Sequence, residues 1–197
     1  MTGKPLMSHK EIEALLREFG EPRRRNCTMQ VSQKTYDDWM TKIYTGPVSC
    51  RGEVIMVIVR PNGKVLLHTK DFYPSGVYRL PSGRVLWEEK VEEALHNEVD
   101  EETGLDVRVK RFLGLIEYEF CCHGRTIPFV SYVFHLQELG GDLCCRDHQE
   151  GIVGFRETTM AELSSVAEQL EHLVRQWQDW GNFRAIAHRF VEEMLRV

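Results

Sequence analysis

The alternation of apolar and polar positions divides the chain into a helical opening, a strand-rich middle and a helical close. Ile12, Leu15, Leu16 and Phe19 recur at spacings of three and four and predict an amphipathic helix over residues 8–19. Ser8 with Glu11 reads as a capping box at its start, and Gly20 and Pro22 stop it. Tyr36, Trp39, Met40 and Ile43 share one face of a second helix over 33–44. Between the two, Arg23, Arg24 and Arg25 read as a solvated turn; the sharper alternative is a contact to phosphates or to a partner subunit. From Gly52 the period shortens. Residues 53–60 and 64–70, joined through Pro61, Asn62 and Gly63, predict a β-hairpin, and 77–81 a short strand. The β-branched runs 107–117 and 127–137 predict two long strands that turn at His123 and Gly124. A short strand over 155–157 and helices over 160–173 and 177–197 complete the pattern. Strands on both sides of a central helix, with a further helix at the end, imply a mixed sheet between helices.

That central helix occupies the second half of residues 83–105. Val91, Ala94, Leu95 and Val99 form its apolar stripe, Glu88 and Glu89 sit at its start, and Gly104 suits a left-handed C-terminal cap. At about 100° per residue, Glu98 and Glu102 fall on the same stripe and Glu101 beside it. Carboxylates at i, i+3 and i+4 repel by only about 0.2–0.5 kcal/mol per pair on an open surface. Here they face the core at the C-terminal end, where the helix dipole disfavours anions. No Lys or Arg along the helix is spaced to face them. A hard divalent cation, Mg²⁺ or Mn²⁺, is the simplest partner for an all-oxygen cluster.

Composition narrows the rest. With 197 residues and 42% apolar content, the chain is one domain, or one domain plus an extension, with a real core. Its apolar runs are too short to cross a bilayer, and residues 1–11 lack an apolar signal core, so a cytoplasmic protein with no membrane partner is expected. A net charge of −5 gives no blanket attraction to nucleic acid, and no clear basic groove supports RNA-end binding. Cys121, Cys122 and His123, with Cys144, Cys145 and His148, would suit zinc only if two strands brought them together. Adjacent cysteines on a strand point to opposite faces, so six free thiols is the better reading.

Gly83, Glu89, Glu98, Val99, Glu101, Glu102, Gly104 and Leu105 resemble the Nudix box, G-x5-E-x7-R-E-U-x-E-E-x-G-U with U apolar; eight of nine fixed positions match over 23 residues. Asn97 stands where the family has Arg, and supplies hydrogen bonds without charge. The resemblance covers residues 51–175. It implies a Nudix-like α/β/α sandwich (α/β in class, or α+β) built on a mixed sheet. It also implies a hydrolase that cuts the pyrophosphate of a nucleoside diphosphate linked to another moiety. On this basis residues 1–50 are an N-terminal extension, used for homodimer contacts or for shaping a substrate pocket, and 51–197 are the Nudix domain with C-terminal helices.

The resemblance also makes Glu98 and Glu102 the direct metal ligands, with Glu101 close behind, main-chain oxygen near Ser82 and Gly83 completing the shell, and Glu89 in support. The general base falls to Glu98 or to Glu150 in the loop before the last strand, with Glu101, Glu117 and Glu119 behind them. Arg79 and Arg51 are candidate phosphate contacts. Tyr73, Tyr78 and Trp87 are candidates either to stack on a base or to pack in the core. The readings from other classes are a catalytically silent ligand sensor and an interaction module using the extension.

Overall fold

The computed structural model describes residues 5–196; Val197, with which the sequence closes its last helix, and residues 1–4 lie outside them. The described chain runs α1 (His9–Phe19), β1 (Arg23–Gln30), α2 (Gln33–Met40), β2 (Cys50–Val59), β3 (Val65–Lys70), β4 (Ser82–Leu86), α3 (Val91–Thr103), β5 (Leu105–Cys122), β6 (Arg125–Gly141), β7 (Ile152–Thr158), α4 (Leu163–Glu171) and α5 (Gln178–Leu195). The sheet is mixed, in the order β1-β5-β6-β2-β3-β7, with β4 also on β2. β1 lies parallel to β5 and β2 parallel to β6, while the remaining pairs are antiparallel.

One apolar layer packs α1 and α3 on one face of the sheet, through Ile12, Leu15, Val91, Leu95 and Val99 against Val54, Met56, Leu115 and Phe134. The other packs α2, α4 and α5 on the opposite face, through Tyr36, Leu163, Leu170, Phe183 and Phe190 against Ile55, Leu67, Ile116 and Phe120. The α/β/α sandwich follows directly. β2 is buried along almost its whole length because it carries a layer on each face. The turn at His123 and Gly124 has positive φ at both residues, 47° and 75°, the geometry that suits a two-residue hairpin.

Several local expectations are corrected. The arginine run is not a solvated turn. It opens β1, whose alternate residues Cys27 and Met29 pack on the core while Arg24 pairs with Glu117 at 3.3 Å and Arg25 with Glu193. The extension is thereby built into the sheet. Residues 77–81 form no strand beyond a single bridge between His68 and Arg79. Ser8 is the N-cap of α1 but makes no side-chain cap. Glu11, its expected reciprocal partner, instead accepts from the Val91 amide at 3.0 Å and so caps the first turn of α3. α3 begins at Val91, leaving Glu92 and Glu93 in its first turn, while Glu89 accepts from the Leu86 amide at 3.1 Å. The two cysteine pairs lie at opposite ends of the β5–β6 hairpin, Cys121 and Cys122 at its tip and Cys144 and Cys145 beyond its open end, and all six thiols are free.

Arg51 ties these parts together. Its guanidinium donates to the Leu6 carbonyl at 3.0 Å, the Tyr132 hydroxyl at 3.0 Å, Glu11 at 2.8 Å and the Glu89 carbonyl at 2.8 Å. It is buried, and its contacts are used for packing rather than offered to a phosphate. Removing one partner of such a buried pair costs about 3–5 kcal/mol. Arg51→Met is therefore expected to lower the thermal midpoint by roughly 10 °C. An unchanged midpoint with a raised KM would instead return Arg51 to phosphate binding.

Candidate active site

The site grows from the β4–α3 turn. Gly83 on β4 lies so close to the box helix that a Cβ there would stand 1.8 Å from Glu98 Cδ. Glu98 fills this space, and its Oε1 accepts from the Arg84 amide at 2.9 Å. One turn further along α3, Glu102 is fully buried, as its place on the apolar stripe requires. The helix ends at Gly104 in the left-handed conformation, φ 63°. Its unpaired carbonyls are taken up by the following loop: the Arg146 and Asp147 amides donate to the Glu101 carbonyl at 2.8 and 3.1 Å, and the Cys144 amide to the Thr103 carbonyl at 3.0 Å. This fastening brings Glu150, distant in sequence, against the box.

The charge that the helix itself lacks comes from a neighbouring strand. Lys70 on β3 stands 3.1 Å from Glu102 Oε1 and also pairs with Glu150. Even so, neither carboxylate oxygen of Glu102 has a hydrogen-bond partner among the described residues. Burial, with Glu102 and Glu150 close by, pushes the Glu98 carboxyl up to about 8 against the pull of the Arg84 amide. Burial also raises Glu102, against Lys70 and Arg79, and raises Glu101, helped by Asp147 and Glu150. Among the described residues no three acidic, His or Cys side chains already converge as a metal cage. The all-oxygen donor set and the orphaned Glu102 oxygens nevertheless fit a hard divalent cation.

The cluster forms one end of a cavity of about 330 Å³. Gly83, Arg84, Glu98, Glu150 and Lys70 line it together with Glu53, Arg79, Ser82 and Arg184, and its aromatic lining includes Trp39, Phe72, Tyr73, Trp180 and Phe183. Arg79 is buried and donates to Tyr73 Oη at 2.8 Å, the Leu80 carbonyl at 2.7 Å and Ser82 Oγ at 2.9 Å. Arg184 on α5 donates to Glu53 Oε2 at 2.6 Å and Ser82 Oγ at 3.1 Å. Ser131 Oγ holds the other Glu53 oxygen at 2.7 Å.

The sequence-expected residues thus divide. Gly83, Glu98, Glu150, Arg79 and Tyr73 line the cavity, and Glu102 lies beneath it under Lys70. Glu101 is exposed and is not among the lining residues. Glu89 sits behind, where Asn97 donates to it at 3.3 Å in the position of the family's Arg. Arg51, Tyr78 and Trp87 are not among the lining residues, and neither are Glu117 and Glu119 on β5. Trp87 donates to the Ile43 carbonyl at 3.1 Å, and Tyr78 packs under Arg156. Lys70, Glu53, Arg184, Trp39 and Trp180 were not singled out as site residues; each reaches the cavity from another element, and no spacing along α3 could reveal them.

His188 on α5 holds the segment that leads into β4. Its Nε2 accepts from the Leu80 amide at 3.0 Å, so Nδ1 carries the proton shared with the Arg184 carbonyl at 2.9 Å. Burial pushes this imidazole down to about 4. The unfolded chain therefore binds a proton below pH 6.5 that the folded chain refuses until about pH 4, and stability falls with pH across that window. Between pH 7 and pH 5 the contribution of His188 falls by about 2 kcal/mol, against the opposite contribution of Glu98, whose raised carboxyl favours the folded state as pH falls. Urea midpoints at the two pH values check this, since the drop should shrink in His188→Gln.

The family match and the relatives make the chain a pyrophosphohydrolase of the Nudix type. A family model described as NUDIX domain matches residues 51–180, and the chain belongs to that family. It is 32% identical to an ADP-ribose pyrophosphatase of Methanocaldococcus jannaschii over 126 residues, 64% of this chain and 72% of that protein. It is 31% identical to a NAD-capped RNA hydrolase NudC of Pasteurella multocida over 103 residues, 52% of this chain but only 36% of that longer protein. A MutT NUDIX hydrolase from Burkholderia pseudomallei shares the fold, with a TM-score of 0.50, 22% identity, and coverage of 74% of this chain and 97% of that one.

Proposed function

We propose that the protein is a divalent-cation-dependent hydrolase, using Mg²⁺ or Mn²⁺, that cleaves the pyrophosphate bond of a small nucleoside diphosphate joined to another moiety. The observation that carries this reading is the meeting of Glu98, Glu102 and Glu150 beside a glycine that leaves no room for a side chain. Glu98, Glu101 and Glu102, with main-chain oxygen at Gly83, would hold the cation, and Glu89 supports Glu98 from behind. A cation held there would neutralise phosphate oxygens and lower the pKa of a bound water.

The chain's own residues do the remaining work. Arg79 and Arg184 orient the diphosphate along the cavity, which limits the directions from which water can reach phosphorus. Two carboxylates face that water, Glu98 and Glu150. The named relatives act, by their descriptions, on ADP-ribose and on an NAD cap, which supports a nucleoside diphosphate joined to a second group as the substrate.

The test is release of the two phosphate-bearing halves from a panel of nucleoside diphosphate compounds, with Mg²⁺, with Mn²⁺ and with chelator. Turnover in either metal and none in chelator supports the reading. A folded protein that binds these compounds and turns over none of them would leave a ligand sensor in its place.

A further inference from the structure

The far half of the cavity has no part in holding a cation, and its construction calls for an occupant. Its aromatic walls come from three places. Trp39 stands on α2 in the N-terminal extension, Phe72 and Tyr73 in the loop after β3, and Trp180 and Phe183 on α5. Trp39 rests its ring on Phe120 at 4.4 Å and Phe183 at 5.4 Å, while Tyr73 and Trp180 meet at 4.7 Å. The two groups are held in register from outside the cavity, because Asp179 on α5 accepts from the Ser32 amide at 3.0 Å and from Thr35 Oγ1 at 2.7 Å at the start of α2. Phe183 is buried, whereas Trp39, Tyr73 and Trp180 are each only partly buried.

Arg184 stands between this chamber and the carboxylates. It bonds Ser82, the neighbour of Gly83, while its guanidinium carbon lies 4.6 Å from the centre of the Phe183 ring. Buried Glu53 fixes its position, but its Nε is buried with no hydrogen-bond partner among the described residues. A donor of this kind calls for an acceptor from a ligand. Aromatic lining from α2 and α5, a fixed guanidinium bonded to Ser82 and the carboxylates of the box match a base, a phosphate and a scissile bond.

We propose that the aromatic half of the cavity is a nucleobase subsite, walled by Trp39 of the extension and by Tyr73 and Trp180, and that Arg184 binds the phosphate next to the base. The inference deepens the reading given under Proposed function and rests on it for the order of the parts. It gives residues 1–50 a place in recognition: the extension supplies one wall of the site. An apolar tail would fill the chamber equally well by volume, but it would gain nothing from flat ring faces or from a donor at their edge.

Binding of adenosine monophosphate, ribose 5-phosphate and hexyl phosphate, measured by calorimetry without turnover, tests this. The nucleotide is expected to bind tightest. Trp39→Leu should weaken it on the order of tenfold or more, as loss of a base-stacking ring does, and leave ribose 5-phosphate unchanged. Arg184→Met should weaken both phosphates. Melting curves verify folding, and Trp180→Leu carries the same test should the Trp39 variant fail to fold. Ribose 5-phosphate binding as tightly as the nucleotide, hexyl phosphate binding more tightly, or equal losses for nucleotide and ribose phosphate in Trp39→Leu would each overturn the proposal. Hydrolysis of the panel with KM unchanged in both Trp39→Leu and Trp180→Leu would remove the subsite and leave the hydrolase. Selective nucleotide binding without any turnover would do the reverse.

Discussion

Glu98→Gln is expected to lower turnover by about a thousandfold while leaving the protein at least as stable as the wild type. The loss follows from the position of the carboxylate. Glu98 is the box residue that faces the cavity directly, and in either role assigned to it, ligand or proton acceptor, an amide cannot replace the anion. Transition-state stabilisation of several kcal/mol through a bound cation corresponds to that factor. The retained stability follows from the electrostatics of the resting site. Glu98 sits with Glu102 and Glu150 in a repulsive group, and a neutral amide of the same shape relieves the repulsion. The Arg84 amide still finds an acceptor in the Gln side-chain oxygen. Steady-state rates beside a thermal melt check both halves. Lost activity accompanied by a lower midpoint would make Glu98 a structural residue instead.

Gly83→Ala is expected to be nearly as damaging by a different route. One added methyl would stand 1.8 Å from Glu98 Cδ and 2.1 Å from its Oε2, so the glutamate or the β4–α3 turn must move. Overpacking of this kind costs about 1–3 kcal/mol, and a displacement of about 1 Å in a catalytic group costs on the order of a hundredfold in rate. The variant should therefore fold, melt a few degrees lower and lose most of its activity. Reduced metal affinity, read by Mn²⁺ titration, should accompany the loss. Full activity in Gly83→Ala would mean that Glu98 need not occupy its observed place.

The parts of the fold legible in the sequence are those set by local periodicity. The stripe from Val91 to Val99 buries as expected and carries Glu102 with it. The hairpin turns at Gly63 and at His123–Gly124 also follow from local chemistry. β1 was hidden because three consecutive arginines obscure its alternation, and only its parallel partner β5 makes a strand of it. Glu11 misled for a similar reason, since its carboxylate caps a helix far along the chain rather than its own. In the site, the box positions are fixed by spacing along one helix and could be read. The cation opposite them could not, because Lys70 arrives from β3 through the pairing of the sheet. The aromatic chamber was out of reach for the same reason, as its walls meet only when α2 and α5 are brought side by side.

The measurement that bears most directly on the account is hydrolysis in ¹⁸O-labelled water of whichever nucleoside diphosphate compound turns over, with and without Mg²⁺. One ¹⁸O atom in a single phosphate product, formed only with the cation and absent with Glu98→Gln, is the predicted result. Label appearing equally with chelator present, or turnover undiminished in Glu98→Gln, would contradict a carboxylate-held cation as the means of attack.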